Sequence, residues 1–151
     1  MANSELVKLS NQSIDGFQAE HLFLEWLAKH GWQLVIYNWR SNRSGAGQVD
    51  VIAKGKKVAL FEVKYRSCQT ELNWPLTMRQ LRRLYRASLV WNASYPYCQI
   101  SELYLVLMRP IGNLSVKELE EKLNQAISLK HINVRWGDYL IQFFSFRDIL
   151  D

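Results

Sequence analysis

Three charged side chains occur where a folded chain ordinarily places apolar residues. Glu62 and Lys64 interrupt the end of an apolar run at residues 58–61, and Asp50 lies in the β-type segment just before that run. Burying a carboxylate is costly and two nearby carboxylates repel each other, so this group is tolerable mainly when Lys64 or a bound cation neutralises part of its charge. Oxygen ligands suit Mg²⁺, which one or two carboxylates and the phosphates of a substrate commonly hold. The pattern therefore predicts a magnesium site, and a structural ion pair at the end of a strand is the alternative.

A fourth acid, Glu20, lies within a predicted amphipathic helix over residues 13–30. It falls on the same stripe as the apolar Phe17 and Leu24, so we expect its carboxylate to face inward and to join the other charged groups. A slight rotation of the helix would expose it instead. The histidines and cysteines show no metal-ligand spacing, so zinc is a poor candidate for this site.

The two predicted strands that carry Asp50 and Glu62 form a hairpin, and its register decides whether the two acids share a face. A two-residue turn at Gly55-Lys56 is locally favoured, but it would pair Asp50 with Phe61 and send Glu62 to the opposite face. A three-residue loop that includes Lys57 pairs Asp50 with Glu62. We expect the longer loop or a bulge, because bulges commonly lie beside active sites.

The rest of the pattern predicts one α/β domain over residues 1–151. Apolar residues on both faces of residues 58–61 predict a strand covered on two sides, within a mixed central sheet that has helices on both faces. The elements follow the order αβββαβαβ, with helices over residues 13–30, 77–91 and 115–129 and strands over residues 32–39, 48–54, 57–65, 100–108 and 139–144.

The predicted helix over residues 77–91 has one apolar and one basic face. Thr77 and Gln80 fit a capping box at its start, and this role alone would explain Gln80. The residues expected to face the core are Leu81, Leu84, Tyr85 and Ser88. The basic face consists of Arg79, Arg82, Arg83 and Arg86, which recur at helical spacing.

The middle of the chain is strongly basic. Residues 40–86 contain eleven basic residues against three acidic ones, although the whole chain has a net charge of only +5. This concentration of one sign favours a surface that meets a polyanion, and a solvated face is the alternative. No apolar run is long enough to cross a bilayer and no secretory signal opens the chain, so we expect a cytoplasmic protein with no membrane partner. Cys68 and Cys98 are expected to be reduced.

These motifs occur in an order that resembles the YraN family, predicted endonuclease-like proteins of the PD-(D/E)XK superfamily, which includes Holliday junction resolvases and type II restriction enzymes. The resemblance covers about residues 13–108 and rests on Gly16…Glu20, Asn38-Trp39-Arg40, Gly47-Gln48-Val49-Asp50 and Phe61-Glu62-Val63-Lys64-Tyr65-Arg66. It implies a restriction-endonuclease-like core. The chain departs from the family at Gln48, where an acid is usual, and over residues 110–131, which look like a helical insertion.

The resemblance implies hydrolysis of phosphodiester bonds with Mg²⁺ or Mn²⁺ as cofactor, in DNA rather than RNA and in structured or branched DNA. Asp50 and Glu62 would bind the ion with the Val63 carbonyl as a third ligand, and Glu20 would hold a water there or a second ion. Lys64 would orient the attacking water or stabilise charge on the phosphate. The residues expected to grip nucleic acid are Arg40, Arg43 and Arg66 beside the cleft, and Arg79, Gln80, Arg82, Arg83 and Arg86 on the basic helix.

Two other functions stay open at this point. A non-catalytic nucleic-acid-binding module on the same fold would fit the absence of an acid at Gln48. A scaffold protein would instead use the helix over residues 115–129 as a docking face and would not bind nucleic acid. Junction-cutting relatives pair two sites across a dimer, so a homodimer is a further expectation, based on fold analogy.

Overall fold

The computed structural model describes residues 16–41, 47–67, 76–126 and 130–150, except for the side chains of residues 16, 17, 126 and 150. The helices in these ranges are α1 (Gly16–Lys29), α2 (Met78–Ser94), α3 (Val116–Ala126) and α4 (Phe146–Leu150). The strands are β1 (Gln33–Arg40), β2 (Gln48–Lys54), β3 (Val58–Tyr65), β4 (Ile100–Pro110), β5 (Ile132–Trp136) and β6 (Tyr139–Ser145). None of these helices is long and apolar enough to cross a membrane.

The strands form one mixed sheet in the order β1-β2-β3-β4-β6-β5. β3 and β4 are parallel, and the other neighbours are antiparallel. The predicted α/β fold is therefore confirmed, and it is consistent with a restriction-endonuclease-like core. The predicted order αβββαβαβ lacked β5 and α4. Each has five residues, which is too short to give a clear periodic pattern.

Helices cover both faces of the sheet, as the apolar run in β3 predicts. On one face, called here the α1 face, α1 packs its residues Ala19, Phe23, Trp26 and Leu27 against Val51, Ala53, Phe61 and Val63. On the opposite face, called the α2 face, α2 packs its residues Leu81, Leu84, Ala87 and Trp91 against Val49, Ile52, Leu60 and Leu107. The β3 residues 58–63 are all buried between the two layers.

α2 begins with the capping box that the sequence predicts, but one residue predicted to face the core is exposed. Thr77 Oγ1 accepts a hydrogen bond from Gln80 N at 3.2 Å, and Gln80 Oε1 accepts one from Thr77 N at 2.8 Å, which confirms the capping box. The prediction that Tyr85 faces the core is wrong, because Tyr85 is 50% exposed. Each helical residue turns by about 100°, so the buried arc through Ala87 and Trp91 ends before it reaches Tyr85.

α3 belongs to a small separate core. Its start is capped by Ser115, whose Oγ accepts a hydrogen bond from Glu118 N at 3.1 Å. Leu119 and Leu123 of α3 pack against Leu140 of β6. Residues 127–129, which were predicted to continue this helix, lie outside the described residues, and the insertion over residues 110–131 stays a prediction.

The β2–β3 hairpin has the register that Asp50 and Glu62 require. Its cross-strand pairs are Val51 with Phe61, Ile52 with Leu60, Ala53 with Ala59 and Lys54 with Val58. Residues 55–57 form the loop, and Gly55 N donates a hydrogen bond to Lys57 O at 2.9 Å across it. Continuing this register by one residue brings Asp50 opposite Glu62. The three-residue loop is confirmed, and the locally favoured two-residue turn does not form.

Candidate metal site and nucleic-acid interface

The Asp50 side chain lies in a gap between β2 and β3. The regular pairing of these strands ends at Val51 and Phe61. Beyond this pair, Val63 N donates a hydrogen bond to Asp50 Oδ2 at 2.8 Å, so the carboxylate takes the place of a strand carbonyl. The N–H and C=O of a strand residue point to the same side, so the Val63 carbonyl faces the same gap.

Glu62 is a buried carboxylate that is only partly neutralised. It is 9% exposed, as is Asp50. Lys64 Nζ lies 3.3 Å from Glu62 Oε1, while the buried Glu62 Oε2 has no hydrogen-bond partner. Burial and, secondly, the nearby Asp50 raise the pKa of Glu62 to about 8, although Lys64 partly offsets their effect. The site therefore has one negative charge more than its single amine can neutralise when both acids are ionised.

This donor set fits a divalent cation. Asp50, Glu62 Oε2 and the Val63 carbonyl supply oxygen ligands, which Mg²⁺ and Mn²⁺ prefer. A bound cation would also give the orphaned Glu62 oxygen its missing partner. Within the described ranges no group of three or more His, Cys, Asp or Glu side chains is arranged to hold a metal, so other ligands would have to come from backbone, water or a substrate phosphate.

Glu20 approaches from the other side of β3. It is half-buried on α1, next to Ala19, whose helix packs on the α1 face. Glu62 and Lys64 instead share the α2 face with Leu60, because alternate strand residues point to opposite faces. The structure thus brings Asp50, Glu62 and Lys64 together without making Glu20 part of a three-acid group, and a role for Glu20 stays a prediction.

The basic face of α2 borders a groove that leads to the start of β2. The groove has a volume of about 680 Å³ and is lined by Thr77, Arg79, Gln80, Arg82, Arg83 and Arg86. Arg83 packs on Gly47, where an added Cβ would lie 2.9 Å from Arg83 Cδ. Gly47 precedes Asp50 by three residues, so this contact connects the arginines to the strand that carries the candidate metal ligand. The Gln80 carbonyl oxygen caps α2, which leaves its amide nitrogen for other contacts.

Of the other arginines predicted to bind nucleic acid, two lie at the ends of strands and not on α2. Arg40 is exposed at the end of β1, and its Nη2 donates to Gln48 Oε1 at 3.4 Å. Gln48, where the resemblance led us to expect an acid, therefore interacts with an arginine that was predicted to contact nucleic acid. Arg66 directly follows β3, and its Nη1 donates to Tyr65 O at 3.3 Å. Arg43 lies outside the described residues.

Two features of the strands were not predicted. Arg109 is only 1% exposed, and its Nε donates to the buried Gln142 Oε1 at 2.6 Å. An arginine next to a proline at the end of an apolar strand gave no signal that it would be buried. Asn38, in the middle of β1, has a φ of 59°. An asparagine inside a β-type run is a signal for such a conformation, because Asn adopts it more readily than most residues.

Residues 19–109 match the family described as uncharacterised protein family UPF0102. A UPF0102 protein of Granulibacter bethesdensis is 32% identical over 95 residues, which are 62% of this chain and 58% of that relative. A UPF0102 protein of Maricaulis maris is 32% identical over 91 residues, 60% of this chain and 68% of the relative. One from Paramagnetospirillum magneticum is 37% identical over 83 residues, 54% of this chain and 64% of the relative.

The matched region contains Glu20 with most of α1, the hairpin with the acids and Lys64, and the arginines of α2, and it ends before α3. The resemblance to the YraN family is thus confirmed, and the chain belongs to the UPF0102 family.

Proposed function

We propose that this protein is a metal-dependent nuclease that hydrolyses phosphodiester bonds of DNA. The observation that carries the proposal is the buried Asp50–Glu62 pair with Lys64 at 3.3 Å and an orphaned carboxylate oxygen. A purely structural ion pair would not need the second acid, since an uncompensated buried charge lowers stability. A site that exchanges a cation and a substrate phosphate accounts for this excess of negative charge.

Each residue of the group has a role that its position allows. Asp50, Glu62 and the Val63 carbonyl would hold Mg²⁺ or Mn²⁺, which when bound supplies positive charge to the phosphate and favours ionisation of water. Lys64 keeps its amine beside Glu62 with about a third of its side chain exposed (34%), so the amine can reach a phosphate in the cleft. There it would stabilise negative charge that develops in the transition state or orient the attacking water.

The basic groove of α2 supports nucleic acid as the substrate. Its four arginines are exposed and can contact successive phosphates without reading bases. We further propose structured or branched DNA, which extends the resemblance to junction resolvases. An enzyme that acts on such DNA would work in the cytoplasm.

The test is cleavage of duplex, single-stranded, flap and four-way-junction DNA, and of matched RNA, with Mg²⁺ or Mn²⁺. We expect metal-dependent cutting by the wild-type protein and a loss of about 10²-fold or more in Asp50→Asn, Glu62→Gln and Lys64→Met. Glu102→Gln is the matched control, because Glu102 also faces a lysine, Lys57 at 3.8 Å, but away from the hairpin gap. Cutting that is unchanged in Asp50→Asn would come from a contaminant and would contradict the proposal.

A non-catalytic nucleic-acid-binding module is the second candidate. It is favoured by Gln48, a neutral residue where the resemblance implies an acid, whose Oε1 accepts a hydrogen bond from Arg40. Salt-sensitive DNA binding by a protein that neither cuts nor binds Mn²⁺ would select this function.

A further inference from the structure

The backbone of Asn38 is unusual for a strand. Asn38 is the only non-glycine residue with a positive φ, 59°, among the described residues. It lies in the middle of β1, where Tyr37 pairs with Val51 and Trp39 pairs with Val49. The same register places Asn38 opposite Asp50, the candidate metal ligand.

In both β1 and β2, the alternation of side chains between the two faces of the sheet is interrupted at this pair of positions. In a regular strand, residues an odd number of positions apart point to opposite faces. Ile36 and Trp39, three residues apart, nevertheless both pack against the core of the α2 face. Their partners Ile52 and Val49 also lie in that core, whereas Val51 lies in the core of the α1 face. The β1–β2 pairing remains in register from Ile36 to Arg40, so the two strands turn together.

This joint rotation of β1 and β2 explains why the Asp50 side chain points along the sheet and not away from it. Val49 and Val51 flank Asp50 and lie on opposite faces. Asp50 sits at the crossing point, and its carboxylate extends sideways to accept the hydrogen bond from Val63 N. A regular β2 would direct residues 49 and 51 to one face and Asp50 to the other.

We infer that Asn38 is a positioning residue, whose left-handed backbone turns the β1–β2 ribbon so that the Asp50 carboxylate reaches the gap beside Val63. The inference rests on the proposed metal site for its functional meaning. Trp39 anchors the turned segment, since its ring meets Trp91 edge-on at a centroid distance of 5.3 Å. Asparagine suits the position because its side chain tolerates left-handed backbone better than Ala or a β-branched residue.

The test compares Asn38→Gly, which adopts a positive φ freely, with Asn38→Ala and Asn38→Val, which resist it. In metal-free, ¹⁵N-labelled protein, we expect the hydrogen bond to Asp50 to shift the Val63 amide proton downfield in the wild type and the Gly variant, and we expect this proton to move upfield in the Ala and Val variants. Mn²⁺ affinity, measured by electron paramagnetic resonance, should stay within about threefold of wild type for Gly. It should fall by about tenfold or more for Val, or for Ala if the Val variant does not fold.

Ile36→Ala is the control for a general loss of stability. It removes apolar contacts from the same strand without changing the turn, so it should lower the melting temperature and leave the Val63 amide and Mn²⁺ affinity unchanged. Val63 shifts that are the same in all Asn38 variants would overturn the inference. If the wild-type protein binds no Mn²⁺, the proposed function fails, whereas the comparison of Val63 amides still decides the role of Asn38.

Discussion

The ionised form of Glu62 lowers the stability of the metal-free folded protein. Its pKa is raised from the usual value of 4.5 to about 8, chiefly by burial and secondly by the nearby Asp50. A folded-state pKa above the unfolded one means that the folded state favours the protonated acid. The stability that this proton contributes is present below about pH 4.5 and is lost as the pH rises to about 8. Above that range the site holds an ionised carboxylate with an unpaired oxygen.

Replacing Glu62 with Gln should therefore stabilise the metal-free protein at alkaline pH. We expect nearly equal free energies of unfolding at pH 4.5 and an advantage for Glu62→Gln on the order of 3 kcal/mol at pH 8 to 9. Urea unfolding across this pH range measures the difference. Saturating Mn²⁺ should reduce it, because only the wild-type carboxylate gains the cation. An advantage that does not change with pH would contradict the assigned burial cost.

At the scale of elements, the register of the β2–β3 hairpin could be predicted from sequence. Two acids and a lysine at buried strand positions were enough to predict the register, although the turn sequence Gly55-Lys56 favoured another one. Tertiary packing decides between them, because the observed register keeps Leu60 and Phe61 in their respective cores. The separation of β2 from β3 beyond Val51 could not be predicted, since it depends on which residues lie across the sheet. Asn38 in a β-type run signals a left-handed backbone, but not the change of face that accompanies it.

The contact of α2 with β2 gives a second prediction. Gly47 and Gly137 both have positive φ values, 72° and 59°, but only at Gly47 would a Cβ clash, with the Arg83 side chain. Gly47→Ala and Gly137→Ala should each lower the free energy of unfolding by about 1–2 kcal/mol through backbone strain. Only Gly47→Ala should also weaken DNA binding, because it displaces Arg83 from the groove. Fluorescence anisotropy with labelled DNA measures this, and equal binding by the two variants would mean that Arg83 does not contact DNA.

At the scale of the whole molecule, the net charge is +5, and the charged residues are distributed unevenly along the chain. Residues 40–86 carry eleven of the nineteen basic residues and three of the fourteen acidic ones, so the remainder of the chain is net acidic. This basic segment includes both strands of the hairpin, Lys64 and all four arginines of α2. We therefore expect a polyanion to be attracted to this basic segment rather than to the net acidic remainder of the chain.

Salt dependence distinguishes this distribution from a general effect of net charge. The double variant Arg82→Gln/Arg86→Gln and the control Lys117→Gln/Lys122→Gln lose the same charge, but the control residues lie on α3, outside the basic segment. If Arg82 and Arg86 each neutralise a phosphate, the slope of log K against log salt should become shallower by roughly 1.8 in the first variant. It should stay unchanged in the control, because long-range attraction is screened beyond about 10 Å at 0.1 M salt. Equal slopes in the two variants would show that the protein attracts DNA through its total charge, and the groove along α2 would then not be the path of the phosphates.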